Sequence, residues 1–476
     1  MERTALLQLM LKRFALAPTA GQATVMRHLA AFLLSVKQQP LYLLRGYAGT
    51  GKTTLVSTLV QVLPEVGQKY VLLAPTGRAA KVLNQYTGKQ ASTIHRKLYQ
   101  RTALADGSVR VVRKLNKHKK TVFIVDEASM ISDSTADGGF GSRDSLLDDL
   151  MEFVFEGDAC RLLLIGDKAQ LPPVGLETSP ALDFNGLMTA YSITAAQYEL
   201  TEVMRQSLES GILFNATLLR ERMQQQLYHF PIFKLHTFSD VVLVENERFE
   251  ELLQDAFGGR DHTEAIIICR SNKRANSFNQ EVRYRILGME GELSAGDLLM
   301  VVKNNYFWME EQEQGGFIAN GDIAEIHRIH HTEELYGMRF ADADISLVDY
   351  PDSPGLTVKL MLDTLLSDSS SLPEEAYQRF AAAVEEDYMD IASRRERFAK
   401  MKANPYYNAL QVKFSYALTC HKTQGGQWPK VFVDAGFLHQ KEEADHNDYR
   451  WLYTAFTRAT SMLYLVNFPE NAVENS

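Results

Sequence analysis

Short apolar runs without alternation, each ending in a polar or glycine-rich loop, constrain this chain more than any other feature. Residues 41–44 run into Gly46, 70–74 into Pro75 and Thr76, 121–125 into Asp126, and 161–165 into Gly166 and Asp167. A strand with one wet face alternates apolar and polar side chains, whereas a strand covered on both faces does not. The runs therefore predict a parallel sheet with helices on both sides. Ligands of such sheets collect beyond the carboxyl ends of the strands, so the four polar clusters fall on one edge and belong to one site. Residues 265–269, 431–434 and 462–466 repeat the pattern and predict a second α/β lobe. Between 304 and 410 the pattern changes to short strands (323–329, 336–340, 357–361), a Ser-rich stretch (367–371) and a charged helical segment (374–402). The expected division is a first lobe over 1–200, with a basic hairpin insertion at 96–120. The second lobe follows over 201–303 and 411–476, interrupted by a β-rich and helical subdomain at 304–410.

The length of 476 residues gives room for about three domains, and 45% hydrophobic with 23% charged residues gives them cores. No run reaches the roughly 18 apolar residues of a membrane span; residues 5–11 are too short, are broken by Gln8, and read as a packed helix. Cys160, Cys269 and Cys420 are too scattered for a metal site or a disulfide framework, which fits a reducing, cytoplasmic compartment. The net charge of −9 argues against a protein that coats nucleic acid, but not against local binding. Residues 96–120 hold nine Lys or Arg and one acid, Asp106.

The chemistry starts at Gly46-Tyr-Ala-Gly-Thr-Gly-Lys52-Thr53, which fits G-x-x-x-x-G-K-[ST] between an apolar strand and a helix read over 54–63. Gly46, Gly49, Thr50, Gly51 and Thr54 frame backbone amides that curl around phosphate oxygens at a helix N-terminus. Lys52 reaches the β- and γ-phosphates of ATP, and Thr53 offers a hydroxyl to Mg²⁺. Asp126, after its strand, suits the Mg²⁺ shell, and Glu127 suits polarising the attacking water. Gln170, in the loop after residue 165, is placed to feel the γ-phosphate. The plainer readings are a helix-start carboxylate pair and a proline-terminated turn.

Eight ordered blocks now carry a resemblance: GYAGTGKTT, APTGRAAKVL, STIHRKLY, VDEASMI, IGDKAQLPPVG, LTEVMRQ, SYALTCHKTQGGQW and YTAFTRA. From Gln22 to Ala459 the chain resembles superfamily 1 helicases, within them the RecD/Dda/Pif (petite integration frequency) group of polarity class 1B. The resemblance implies two RecA-like P-loop lobes, ATP and Mg²⁺ as cofactors, and single-stranded and forked duplex DNA as partners. It implies a monomeric motor of the kind that serves DNA replication, repair and recombination, moving 5′ to 3′. By the same resemblance Gln22 reads the adenine edge, Arg205 and Arg458 point at the γ-phosphate from the second lobe, and Gly425 brings that lobe's backbone to the phosphate. Thr76, Arg78, Thr93, His95, His421 and Lys422 match residues that touch the DNA strand. Asn320-Gly321-Asp322 resembles a turn of the group, although an Asn-Gly turn needs no function.

Asp106-Gly107 lies between two strand-like stretches, 102–104 and 109–112, and so predicts a hairpin. The family carries a strand-splitting pin at that place. Arg101, Arg110, Arg113 and Lys114 then hold phosphates at the fork and Tyr99 stacks on a base. The rivals are an ATP-gated nucleic-acid-binding switch and an RNA translocase. The switch leaves the second lobe's arginine motifs unexplained, and a 2′-hydroxyl contact leaves no motif to read.

Overall fold

The computed structural model describes residues 2–103, 109–132, 145–204, 209–259, 261–309, 317–350, 353–441, 443–469 and 472–474. The first lobe opens with two helices, α1 (Arg3–Arg13) and α2 (Ala20–Leu33). The strand β1 (Pro40–Gly46) leads into α3 (Lys52–Glu65), and β2 (Lys69–Ala74) into α4 (Gly77–Thr87). Next come β3 (Ala91–Thr93), α5 (Ile94–Leu98), the paired β4 (Tyr99–Ala103) and β5 (Val109–Arg113), and β6 (Thr121–Val125). α6 (Leu146–Glu156), β7 (Arg161–Gly166), α7 (Phe184–Ala190) and β8 (Thr194–Leu200) complete it.

The sheet order is β3-β2-β6-β7-β1-β8, with every neighbour parallel. One face packs Leu44, Leu72, Ile124 and Ile165 under α1, α2 and α3; the other packs Leu43, Leu73, Val125 and Leu164 under α6. This two-sided burial is why the strands lack alternation.

The second lobe begins with α8 (Gly211–Gln225), β9 (Val241–Leu243), α9 (Phe249–Phe257), β10 (Ala265–Cys269) and α10 (Asn272–Glu281). A closed barrel follows, of β11 (Leu298–Val301), β12 (Ile323–Leu335), β13 (Met338–Leu347), β14 (Leu356–Met361) and β15 (Leu410–Phe414). Helices α11 (Glu374–Glu386) and α12 (Arg394–Lys402) leave the barrel between its last two strands. β16 (Ala417–Thr419), β17 (Trp428–Asp434), α13 (His446–Phe456) and β18 (Ala459–Val466) return the chain to the lobe. Its sheet is parallel, in the order β16-β10-β17-β18-β9. The molecule is thus α/β with two RecA-like lobes, a hairpin insertion in the first, and a β-rich and helical insertion in the second.

Three local expectations are corrected. The barrel takes in Leu298–Val301 and Leu410–Phe414 and so extends past both ends of the expected 304–410 interval. Both runs are buried along their whole length, so they read like lobe strands. Residues 336–340 are not one strand. Tyr336 and Gly337 have φ of 54° and 71° and turn β12 into β13, with Leu335 opposite Met338. That is the left-handed pair a two-residue hairpin needs, with tyrosine where asparagine is usual. The single helix expected over 374–402 is two helices, packed through Phe380, Val384 and Met401 onto Phe340 and Met361.

Candidate ATP and nucleic-acid site

The phosphate loop joins β1 to α3. Gly51, at φ 82°, takes the left-handed conformation just before the helix and closes on Gln22, whose Nε2 lies 2.3 Å from where a Cβ would stand. Gly49 is left-handed too, and a Cβ on Gly46 would come within 2.9 Å of Thr50 Oγ1. Thr50 Oγ1 donates to Tyr47 O, and Lys52 Nζ donates to Gly46 O and Tyr47 O at 2.6 and 2.9 Å. The ammonium therefore rests on carbonyls and, among the described residues, makes no carboxylate ion pair. Thr53 is exposed on the first turn of α3, and Thr54 behind it is half-buried.

Gln22 is fully buried and engaged on both sides. Its Oε1 accepts from Thr19 N at 2.9 Å in a capping box, and its Nε2 donates to Thr50 O at 3.0 Å. In this arrangement it braces the phosphate loop. Only its second amide hydrogen and a remaining lone pair are left for an adenine edge.

Asp126 and Glu127 follow β6. Asp126 accepts from Tyr86 Oη and, at 2.9 Å, from Glu127 N. Glu127 stands at φ 52°, a left-handed position uncommon for a residue with a side chain. Burial raises its carboxyl, while Arg458 and Lys52 pull it back. Arg458 reaches it from the other lobe, with Nη1 4.0 Å from Oε1. The guanidinium is itself buried, held by Thr454 O, Gly426 O and Thr457 Oγ1. Gln170 is buried near Ser129 and Asp167, and its Oε1 has no hydrogen-bond partner among the described residues. Arg205 lies outside the described residues.

Two side chains that sequence reasoning did not single out hold the lobes together here. Tyr453 Oη accepts from Ala48 N at 2.8 Å and donates to Asp167 Oδ2 at 2.6 Å. Thr454 Oγ1 accepts from Leu171 N at 2.8 Å. Both stand inside the YTAFTRA block, where the arginine drew attention and its neighbours did not. Gly425 departs from its expected place. A Cβ there would meet Ala79 Cβ at 2.6 Å and Thr76 Oγ1 at 3.3 Å. Its left-handed backbone, φ 73°, therefore closes on the start of α4.

The expected strand contacts gather around that same junction in part. Thr76 and Thr93 spend their hydroxyls as N-caps, accepting from Ala79 N and Arg96 N. Thr93 is also buried. Arg78 stacks 4.1 Å over the Trp428 ring. His95 is half-buried beside Tyr99, with ring centroids 5.7 Å apart. His421 is half-buried, and burial with Arg270 nearby lowers its pKa. Lys422 Nζ is buried with no hydrogen-bond partner among the described residues, and burial and Lys413 bring it down to about 8.

The hairpin pairs Tyr99–Ala103 with Val109–Arg113, and Ala103 faces Val109. Asp106-Gly107 lies outside the described residues. Two of its expected fork contacts are already committed. Tyr99 Oη donates to Asp149 Oδ2 at 2.5 Å, and Arg113 pairs with Glu152 and Glu156 at 2.7 and 3.0 Å, all on α6. They seat the hairpin's base on the lobe.

Residues 17–229 match the AAA domain model and residues 414–466 the UvrD-like helicase C-terminal domain model. The ATP-dependent RecD2 DNA helicase of Deinococcus radiodurans is 33% identical over 193 residues, 40% of this chain and 22% of that protein. The ATP-dependent DNA helicase dda of Enterobacteria phage T4 is 24% identical over 424 residues, 83% of this chain and 88% of that one. Together these matches support a place for the chain in the RecD/Dda/Pif helicase group of superfamily 1. It spans about a fifth of the Deinococcus relative's length but most of the phage helicase. Within this group, the ATP-dependent DNA helicase Pif1 of Campylobacter jejuni is 22% identical over 88% of this chain and 86% of its own.

Proposed function

We propose that this chain is an ATP-dependent DNA helicase that moves 5′ to 3′ on single-stranded DNA as a monomer and opens forked duplexes. The observation that carries the reading is Arg458 beside Glu127, a cation from one lobe at the carboxylate of the other. Phosphoryl transfer needs charge stabilisation more than covalent help. An arginine supplied across a junction makes hydrolysis depend on how the lobes sit.

In this reading Lys52 leaves its carbonyls for the β- and γ-phosphates, and Gln22 holds the loop and meets the base. Glu127 accepts a proton from the attacking water; its raised pKa brings it nearer the range where a base works at neutral pH. Arg458 and Arg205 neutralise charge on the transferred group, and Gln170 carries its presence toward the strand side. Mg²⁺ supplies charge neutralisation at the phosphates when bound. Thr53 and Asp126 are the residues to hold it. Two protein oxygens suit a cation that takes its other ligands from phosphate and water. Among the described residues no group of three or more His, Cys, Asp or Glu forms a self-sufficient metal cage. Thr76, Arg78, Thr93, His95, His421 and Lys422 line the strand's path, where Gly425 lets the two lobes close on one another. Among the described residues no helix is long and apolar enough to cross a membrane.

Strand displacement on forked DNA and RNA duplexes with 5′ or 3′ tails, run beside ATPase with and without single strand, tests the reading. Opening of 5′-tailed DNA and strong stimulation by single-stranded DNA are expected. Opening only from a 3′ tail would reverse the polarity, and ATPase indifferent to DNA would favour a switch.

A further inference from the structure

Arg458 sits one turn beyond a helix face that grips the opposite lobe. On α13, Arg450, Tyr453 and Thr454 are spaced i, i+3 and i+4 and so share a face. Arg450 donates to Glu177 O and Lys168 O at 2.6 and 2.8 Å, and Thr454 accepts from Leu171 N. These contacts all reach the loop after β7. Tyr453 alone reaches two segments at once, the phosphate loop through Ala48 N and the end of β7 through Asp167. Its ring is buried. The next residue, Thr454, holds Arg458 Nε through its carbonyl at 3.0 Å.

We propose that Tyr453 is a positioning residue for hydrolysis, whose hydroxyl seats α13 on the phosphate loop and Asp167 and thereby places Arg458 at Glu127. The inference rests on the ATPase reading of the site. A phenol that accepts from one side and donates to the other fixes both the position and the rotation of its helix. Burial holds the Tyr453 proton on its oxygen, so the donor to Asp167 is permanent. Without the hydroxyl, Ala48 N and Asp167 Oδ2 each lose a partner, and the hydrogen bonds that α13 keeps to the first lobe, among the described residues, are those to the loop after β7. A misplacement of about 1 Å at a reacting group costs on the order of a hundredfold in rate.

Tyr453→Phe keeps the ring and removes only the hydroxyl. DNA-stimulated kcat should fall about ten- to a hundredfold, with KM for ATP within about twofold, because Tyr453 is not expected to touch the nucleotide. A purely structural loss would lower the melting temperature and the active fraction together and leave the turnover of the folded fraction unchanged. In an Arg458→Ala background, Tyr453→Phe should add less than about twofold, since it acts through the group already removed. Asp167→Asn, which weakens the same hydrogen bond from its other end, should repeat the kcat-only pattern and serves if Tyr453→Phe folds poorly. Unchanged kcat in Tyr453→Phe, a loss confined to KM, or losses that multiply with Arg458→Ala would each overturn the inference alone. A wild-type protein that hydrolyses no ATP would overturn the ATPase reading and the inference with it.

Discussion

Two of the junctions between the first lobe and the rest of the chain differ in chemistry. At the phosphate loop, α13 and its neighbours use directional hydrogen bonds. Tyr453, Thr454 and Gln424, whose Nε2 donates to Leu171 O at 2.6 Å, are uncharged, Arg450 donates to carbonyl oxygens, and the cation–carboxylate contact of Arg458 with Glu127 is long, at 4.0 Å. At the barrel the contacts are charged, and the Arg96–Asp322 pair is buried on both sides. Arg96 pairs with Asp322 at 3.3 Å with its guanidinium 4.0 Å over Tyr350, and Lys81 pairs with Asp349 at 3.2 Å. A Cβ on Gly77 would come within 2.3 Å of Asp322 Oδ1. Burial lifts the Asp322 carboxyl to about 7 against the pull of Arg96. Hydrogen bonds are sensitive to geometry, whereas a desolvated ion pair is sensitive to charge balance. The nucleotide junction should therefore fail in turnover, and the barrel junction in stability.

The largest effect tests the nucleotide side. Lys52→Ala should abolish ATP hydrolysis while single-strand binding, measured by fluorescence anisotropy, persists. Glu127→Gln should bind ATP and stall. Arg458→Ala should cost about a thousandfold in kcat with little change in ATP affinity, since such arginines act on transition-state charge. Lys52→Ala and Glu127→Gln should unfold within about 1 kcal/mol of wild type, whereas Arg458→Ala removes a buried, hydrogen-bonded side chain and its kcat is therefore read on the folded fraction.

At the barrel the signature should invert. Asp322→Ala leaves Arg96 buried without its carboxylate and should cost about 3–5 kcal/mol in urea unfolding, with far less effect on the kcat of the folded fraction. Replacing both partners, Arg96→Met with Asp322→Leu, should recover much of that loss. If Asp322→Ala instead unfolds like wild type and loses turnover, the barrel junction belongs to the catalytic cycle.

The hairpin offers a third, smaller test, because its base is held on α6 through Tyr99 and Arg113. Replacing residues 102–109 with a short Gly-Ser turn spares those anchors. DNA-stimulated ATPase and single-strand translocation should change less than about twofold, and forked-duplex opening should fall severalfold, since each base-pair step resists with about 1.4 kcal/mol of stacking. Equal losses in both assays would make the segment part of the grip.

Much of this was legible in the sequence, for a physical reason. Continuous apolar runs mark strands covered on both faces, and the loops that end them carry the chemistry. What stayed hidden was pairing over distance. Arg96 counted as one of nine basic residues and is in fact buried against Asp322, 226 residues later. Arg113 and Tyr99 looked free to meet DNA because their partners on α6 lie 39 to 50 residues away. The β9 edge strand, Val241–Leu243, is three residues long and too short for any periodicity. Tyr453 sat inside a recognised block, but nothing local says that its hydroxyl crosses to Ala48.

The smallest expected effect concerns Lys422, proposed above to lie in the strand's path. Its amine is buried, and burial with Lys413 nearby brings it to about 8. A phosphate binds the ammonium and not the neutral amine, so affinity for single strand should fall as pH rises through 8. Between pH 7.5 and 9 the loss for an oligodeoxyadenylate, at constant ionic strength, should be about eightfold. Stability has the opposite sign. Between about 8 and 10.5 the unfolded chain holds the Lys422 proton and the folded chain does not, so stability rises with pH across that window. Weaker binding at pH 9 is then not unfolding. Lys422→Arg keeps its charge throughout and should flatten the pH slope. Lys413, also lowered to about 8 but tied to Ser367 O, accounts for whatever slope remains. A Lys422→Arg variant with the full wild-type slope would take Lys422 out of the strand's path and leave its buried amine a feature of the second lobe alone.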